Sequence, residues 1–135
     1  MPSWLLGQLA LEARRVGGEV LAGHRLRHGH YALLASLEEF GPLSQSVLSD
    51  RSGLDRGDVV RWIDDLETRR LVARRRDPAD RRRNTVAITG TGRRLLGKMD
   101  AELRAAQSRL LRALSATEQA QLVALLTRTL ASYAR

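Results

Sequence analysis

Between Arg69 and Arg83, 15 residues carry eight arginines against two aspartates. Each guanidinium is a planar fork of donors that matches phosphate oxygens and guanine edges. So dense a run is either a solvated charged surface or a surface made for a polyanion. A second set of polar and cationic candidates precedes it: Ser44, Gln45 and Ser46, then Arg56, Gly57, Val60 and Arg61. The histidines are His24, His28 and His30. His24 and His28 are four apart and can present two imidazoles on one helical face, but a metal would want a third ligand. No cysteine is present and no acid lies close in sequence, so neither a metal nor another cofactor is expected. Glu38-Glu39 and Asp64-Asp65 are adjacent pairs, which point in different directions on a helix. No nucleophile elbow, phosphate-binding glycine loop or metalloprotease motif occurs, so the chain is not read as an enzyme.

Those residues need elements to hold them, and the punctuation is clear. Ser44 is a good N-cap, with Leu43 and Leu48 at the two positions of a hydrophobic staple. Gly53 stands where a short helix would end with positive φ, and Asp55 caps the next. Val59, Ile63 and Leu66 form that helix's buried stripe to about Arg69. Two helices joined by a short glycine-containing turn are a helix-turn-helix. Leu71 to Arg75 and Thr85 to Thr89 read as strands. The polar loop Asp77-Pro78-Ala79-Asp80-Arg81-Arg82-Arg83-Asn84 between them has turn chemistry. The expectation is a β-hairpin wing with a basic tip.

Flanking helices are predicted over Trp4 to about Gly23, His30 to Phe40, Thr89 to about Leu114, and from Ser115 onward. Gly17 and Gly18 weaken the first, so packing must hold it. Leu96, Met99, Leu103, Ala106 and Leu110 recur at spacings of three and four, a narrow stripe like a coiled-coil seam without an evident partner in the chain. Ser115 and Glu118 make a capping box. The fold expected is mainly α with a small β-hairpin wing. Residues 1–135 form one domain: a winged helix-turn-helix lobe over 30–92, and dimerisation helices over 1–28 and 95–135.

At 135 residues and a formal net charge of +8, one basic domain is the natural size. All its cationic residues but Lys98 are arginine, which suits nucleic acid and equally suits a GC-rich genome. Without cysteine, disulfides and thiol redox sensing are excluded. No apolar run approaches the roughly 20 residues of a membrane span, and Met1 to Ala10 does not look like a secretion signal. A cytoplasmic protein is expected, associated with the nucleoid when on DNA.

The run Asp77-Pro78-Ala79-Asp80-Arg81-Arg82, followed by Val86-Ala87-Ile88-Thr89-Gly90-Thr91-Gly92, resembles the wing motif of the MarR family of bacterial regulators. The order of elements resembles that family along essentially the whole chain. The resemblance implies a homodimeric regulator of a palindromic double-stranded DNA operator, usually a repressor released by a small aromatic or other organic effector. Four departures stand out. Arg70 replaces the glycine that usually ends the recognition helix, so strain or a different helix end is expected there. Val60 replaces a small hydroxyl residue, Asp58 adds a negative charge near the groove, and cysteine is absent.

On this reading Arg56, Gly57, Val60 and Arg61 face the major groove. Val60 suits a thymine methyl, while Arg56 and Arg61 suit either a guanine edge or a phosphate. Ser44, Gln45 and Ser46 can donate to phosphates, with simple capping as the alternative for Ser44. Arg82 is the expected minor-groove finger, with Asp80 orienting its guanidinium and Asp55 a second possible partner. Arg74, Arg75, Arg76, Arg81 and Arg83 are read as phosphate contacts or solvated charges. His24, His28 and His30 are placed between the first helix and the lobe, where one touches a ligand. Trp4 is read as an interface anchor and Trp62 as half-buried core. The alternatives are a ligand-independent architectural DNA-binding protein and a winged protein-interaction module that has lost DNA binding.

Overall fold

A computed structural model describes residues 1–134. Helix α1 (Pro2–Gly23) leads into α2 (His28–Phe40), a two-residue strand β1 (Leu43–Ser44), and the helices α3 (Gln45–Ser52) and α4 (Arg56–Thr68). Strands β2 (Val72–Arg76) and β3 (Asn84–Ile88) form the hairpin, and α5 (Gly90–Leu110) and α6 (Ala116–Ala131) complete the chain. The antiparallel sheet has the order β1-β3-β2. Leu43 pairs with Val86 on one side of β3, and Arg74 pairs with Val86 on the other. The hairpin is as expected; β1 is too short to show any alternation in the sequence.

Local chemistry sets the boundaries. Ser44 Oγ accepts from Val47 N at 3.2 Å, and Asp55 Oδ2 accepts from Gly57 N at 3.0 Å. Gly53 ends α3 at φ 71°. Ser115 and Glu118 form their reciprocal capping box. Helix α2 starts at His28, two residues before the expected His30, because the His30 ring supplies a cap: its Nδ1 accepts from Arg27 N at 3.0 Å. Helix α5 ends at Leu110, short of Leu114. The Gln119 side chain donates there to the carbonyls of Leu111 and Leu114, at 3.2 and 3.3 Å, satisfying acceptors that a longer helix would have used.

The core of the lobe is Leu33, Leu34, Leu37, Leu48, Val59, Ile63, Leu66, Val72 and Val86, all almost fully buried. The expectation for α5 needs correction. Its stripe does have a partner within the chain: α1 lies along α5, Leu96, Met99 and Ala106 are buried, and Leu103 packs on the core. Exposed apolar residues cluster instead at the start of α1, at Trp4, Leu5 and Leu6, and along α6, at Val123, Leu125 and Leu130. Helix α6 has no buried residue.

Two backbone positions join the lobe to the long helices. Arg70 has φ 59°, the left-handed conformation in which a side chain is costly. This is the strain expected where a glycine would end the helix. Gly92, in the first turn of α5, sits against Leu71: a Cβ there would lie 2.2 Å from the Leu71 carbonyl oxygen and 2.8 Å from Ile88 Cγ1. Backbone is on the receiving side, so the contact cannot relax cheaply. In chemical denaturation, Arg70→Gly is expected to raise stability by about 1 kcal/mol. Gly92→Ala is expected to lower it by about 1–3 kcal/mol.

Candidate nucleic-acid interface

Helix α4 turns Val59, Ile63 and Leu66 inward, which leaves Arg56, Gly57, Val60 and Arg61 exposed on its outer face. Val60 is 44% exposed. Arg61 pairs with Asp58 one turn earlier, and Arg56 approaches Asp50 at 3.7 Å. Both guanidinium groups remain largely in solvent, where such pairs exchange readily for other anions.

The tip of the hairpin is built by its aspartates. Asp77 Oδ1 accepts from Ala79 N at 2.9 Å and Asp80 Oδ1 from Arg82 N at 3.0 Å, while Asp77 N donates to Arg83 O at 2.9 Å. Asp80 bonds the backbone of Arg82 and also pairs with its side chain, its carboxylate standing 3.7 Å from the Arg82 Nε. The Arg82 side chain is 95% exposed. Asp55 is occupied capping α4. A crevice of about 240 Å³ lies between the tip and the start of α3, lined by Ser44, Gln45, Ser46, Arg82, Arg83 and Asn84. Residues distant in sequence therefore meet at one cationic, donor-rich cleft.

Arg74 is placed otherwise than expected. Its guanidinium points into the lobe, where Nε donates to Gln45 Oε1 at 2.9 Å, Nη1 to Glu67 Oε1 at 3.0 Å, and Nη2 pairs with Asp64 Oδ1 at 2.6 Å. The side chain is only 19% exposed. It is neither a solvated charge nor open to a phosphate, and Gln45 is drawn in with it.

The three histidines separate. His30 is buried: Nδ1 accepts from Arg27 N, which leaves its ring proton on Nε2, 3.1 Å from Asp65 Oδ2. Its ring meets Trp62 edge to face at 4.5 Å. His24 Nε2 lies 2.6 Å from Glu102 Oε2. Only His28 reaches the cleft of about 500 Å³ between α1, α2 and α5, beside Gly17, Tyr31, Asp100, Leu103 and Arg104. The expectation that all three line this region holds for His28 alone. Sequence reasoning misses Tyr31, Asp100 and Arg104, because the α5 residues flank the stripe that reads as a seam. Their one-face spacing of 100, 103, 104 and 107 is the available signal.

Tyr31 Oη donates to Asp100 Oδ1 at 2.5 Å. Burial, then this hydrogen bond and the carboxylate's charge, push the phenol up to about 12, with Arg104 pulling the other way.

Known proteins share this geometry. A family model described as MarR family matches residues 26–83. The stretch matched is the winged lobe, and there the chain is similar to the MarR family. Its fold is similar to that of MarR from E. coli, at 22% identity, 95% coverage of each chain and a TM-score of 0.86. It is also similar to the PcaV transcriptional regulator from Streptomyces coelicolor, at 26% identity, 98% and 97% coverage and a TM-score of 0.80. A probable transcriptional regulator from Pseudomonas aeruginosa matches at 29% identity, 96% coverage of each chain and a TM-score of 0.80. Among the described residues no helix is long and apolar enough to cross a membrane.

The cleft has a spectroscopic handle. Because burial, then the Asp100 hydrogen bond and charge, raise the folded-state value of Tyr31, the fold favours the neutral phenol: its stability is fully kept below about pH 10 and falls as the pH climbs toward about 12. An alkaline titration followed by tyrosinate absorbance is expected to show a late transition near 12 that vanishes in Tyr31→Phe.

Proposed function

We propose that this chain is a sequence-specific regulator of transcription, a homodimer that binds a palindromic double-stranded DNA operator and represses until a small organic effector releases it. The observation that carries this reading is the cationic cleft. There the exposed Arg82 and Arg83 of the tip meet Ser44 and Ser46 at the start of α3, beside the open Arg56 and Arg61 on α4. A helix in the major groove, with its wing on the neighbouring backbone and minor groove, uses that combination. Arg82 enters the minor groove, while Arg81 and Arg83 meet phosphates. Arg56 and Arg61 serve bases or phosphates, and Val60 packs on a thymine methyl. A mutant MarR from E. coli has been crystallised with operator DNA, which supports the reading by analogy.

The dimer is drawn from the start of α1 and from α6, where Trp4, Leu5, Leu6, Val123, Leu125 and Leu130 are exposed. The effector is assigned to the cleft lined by His28, Tyr31, Asp100 and Arg104. PcaV has been crystallised with its natural ligand, and BpsR from Bordetella bronchiseptica has its DNA binding regulated by 6-hydroxynicotinic acid. The first turn of α2 carries the signal: His28 faces the cleft, while Gly29 and His30 touch Trp62, and His30 also touches Asp65 of the recognition helix. The reading is non-enzymatic and cytoplasmic. One observation favours the rival, a winged lobe that binds protein and not DNA: Asp58 engages Arg61 on the face meant for the groove.

A titration with DNA from upstream of the protein's own gene, against scrambled competitor, separates the two. With about six to ten phosphates neutralised, affinity is expected to fall by about 10³–10⁵ between 50 and 200 mM salt. Half-sites are expected about 10 bp apart. Arg82→Ala is expected to weaken specific binding by about 1–3 kcal/mol. Indifference to Arg82→Ala, with no preference over competitor, would select the protein-binding reading.

A further inference from the structure

We infer that Arg74 is a positioning residue for DNA recognition, one that sets the distance and angle between the recognition helix and the wing without meeting DNA itself. The inference rests on the DNA-binding reading above. Arg74 lies in the middle of β2, paired across the hairpin with Val86, so its strand carries the wing tip. From there its side chain reaches three places at once. Nε donates to Gln45, the first residue of α3. Nη1 bonds Glu67 and Nη2 pairs with Asp64, both on the second half of α4. Nη2 also lies 3.5 Å from the carbonyl oxygen of Val60, a residue of the exposed face. Glu67 closes the arrangement, because its other carboxylate oxygen accepts from the Arg74 backbone N–H at 3.0 Å. One carboxylate thus holds both the main chain and the side chain of the same strand residue.

Two consequences follow from the chemistry. The donors are directed at fixed partners, and only a guanidinium fork can serve them together; an ammonium has one point of charge on a flexible stem. In addition, two carboxylates surround one cation. The local charge is net negative, which repels a phosphate where an unpaired arginine would attract it. The wing can tilt away from α4 only by breaking this cluster. A DNA site that needs both elements at once therefore depends on a residue that touches no part of it.

The test uses the full-length protein and a duplex that the wild type selects from a randomised pool. Affinity for that duplex and for a scrambled one is measured over a range of salt, for wild type, Arg74→Lys and Arg74→Met, at a temperature where circular dichroism shows each to be folded. Both variants are expected to lose about tenfold on the selected duplex, with little change on the scrambled one and an unchanged salt slope. Rescue by lysine, together with a salt slope shallower by about 0.9 in the methionine variant, the value for one phosphate no longer neutralised, would mean that Arg74 meets a phosphate and would overturn the proposal. Full affinity in both variants would also overturn it. Asp64→Asn gives a variant at an exposed site. Loss of its acid near DNA would strengthen binding if Asp64 acted by charge alone, whereas weakening is expected if it holds Arg74. A DNA-free measurement separates this proposal from the reading it rests on. The chain has no cysteine, so spin labels at Arg56→Cys and Arg81→Cys report the spacing of helix and wing directly. Arg74→Lys is expected to broaden that distance distribution; an unchanged distribution overturns the proposal whether or not the wild type selects any DNA.

Discussion

The Leu71 carbonyl oxygen is where the lobe and the long helices are fastened together. It accepts from Thr89 N at 3.0 Å and from Thr89 Oγ1 at 3.1 Å, and the same hydroxyl lies 2.7 Å from the carbonyl of Arg70. Thr89 Oγ1 in turn caps α5 by accepting from Gly92 N at 3.0 Å. The end of α4, both strands of the hairpin and the start of α5 therefore converge within a few residues. Only a residue without Cβ lets α5 leave at this angle, since Gly92 rests on Leu71 itself. The left-handed Arg70 turns the chain out of α4 and into β2. Strain there is tolerated because the hydrogen bonds on either side over-determine the conformation.

With that junction fixed, the arginines divide by what surrounds them. Arg69 donates to the carbonyls of His24 and Arg25, at 2.9 and 3.3 Å, where α1 ends. Arg93 reaches Glu38 at 2.9 Å, and Arg15 is held by Glu12 and Glu19 on its own helix. Arg74 is enclosed by acids and an amide. The arginines of the tip are different: Arg81, Arg82 and Arg83 project into solvent because the loop's aspartates are occupied with backbone N–H groups. The arginines of the tip and of the outer face of α4 thus stay in solvent, where a polyanion can reach them. Charge counts alone do not reveal this, since a paired and an unpaired guanidinium look the same in a sequence.

The same contrast explains what is legible in the sequence. Ser44, Gly53, Asp55, Thr89 and Ser115 mark their helix ends because capping is settled within three or four residues. The hairpin is legible from its turn residues, and the lobe from the stripe of Val59, Ile63 and Leu66. The roles of Arg74 and His30 are not, because their partners lie elsewhere in the chain: 29 residues back to Gln45 for Arg74, and 35 residues on to Asp65 for His30. The α5 stripe shows the limit of periodicity. Spacings of three and four identify a buried face, but they do not say whether α1 of the same chain or another molecule covers it. The strand β1 escapes notice because two residues cannot alternate.

The position of α2 gives these local facts a common consequence. Its first turn begins where the His30 ring caps the helix, and that ring is also wedged against Trp62 and Asp65 of α4. Gly29 lets the indole approach to a distance at which any Cβ would sit 2.7 Å from it. On the opposite side of the same turn, His28 and Tyr31 form part of the wall of the 500 Å³ cleft. So close a fit leaves little slack between the cleft and α4, because a packed core shifts between discrete arrangements and does not deform smoothly. A displacement of this turn would reach α4 through Trp62 and Asp65. Its route onward to the wing is Arg74, the side chain that ties the second half of α4 to both β2 and α3. Helix α4 and the wing are therefore held in register by one guanidinium, and the cleft is held in register with them by one histidine.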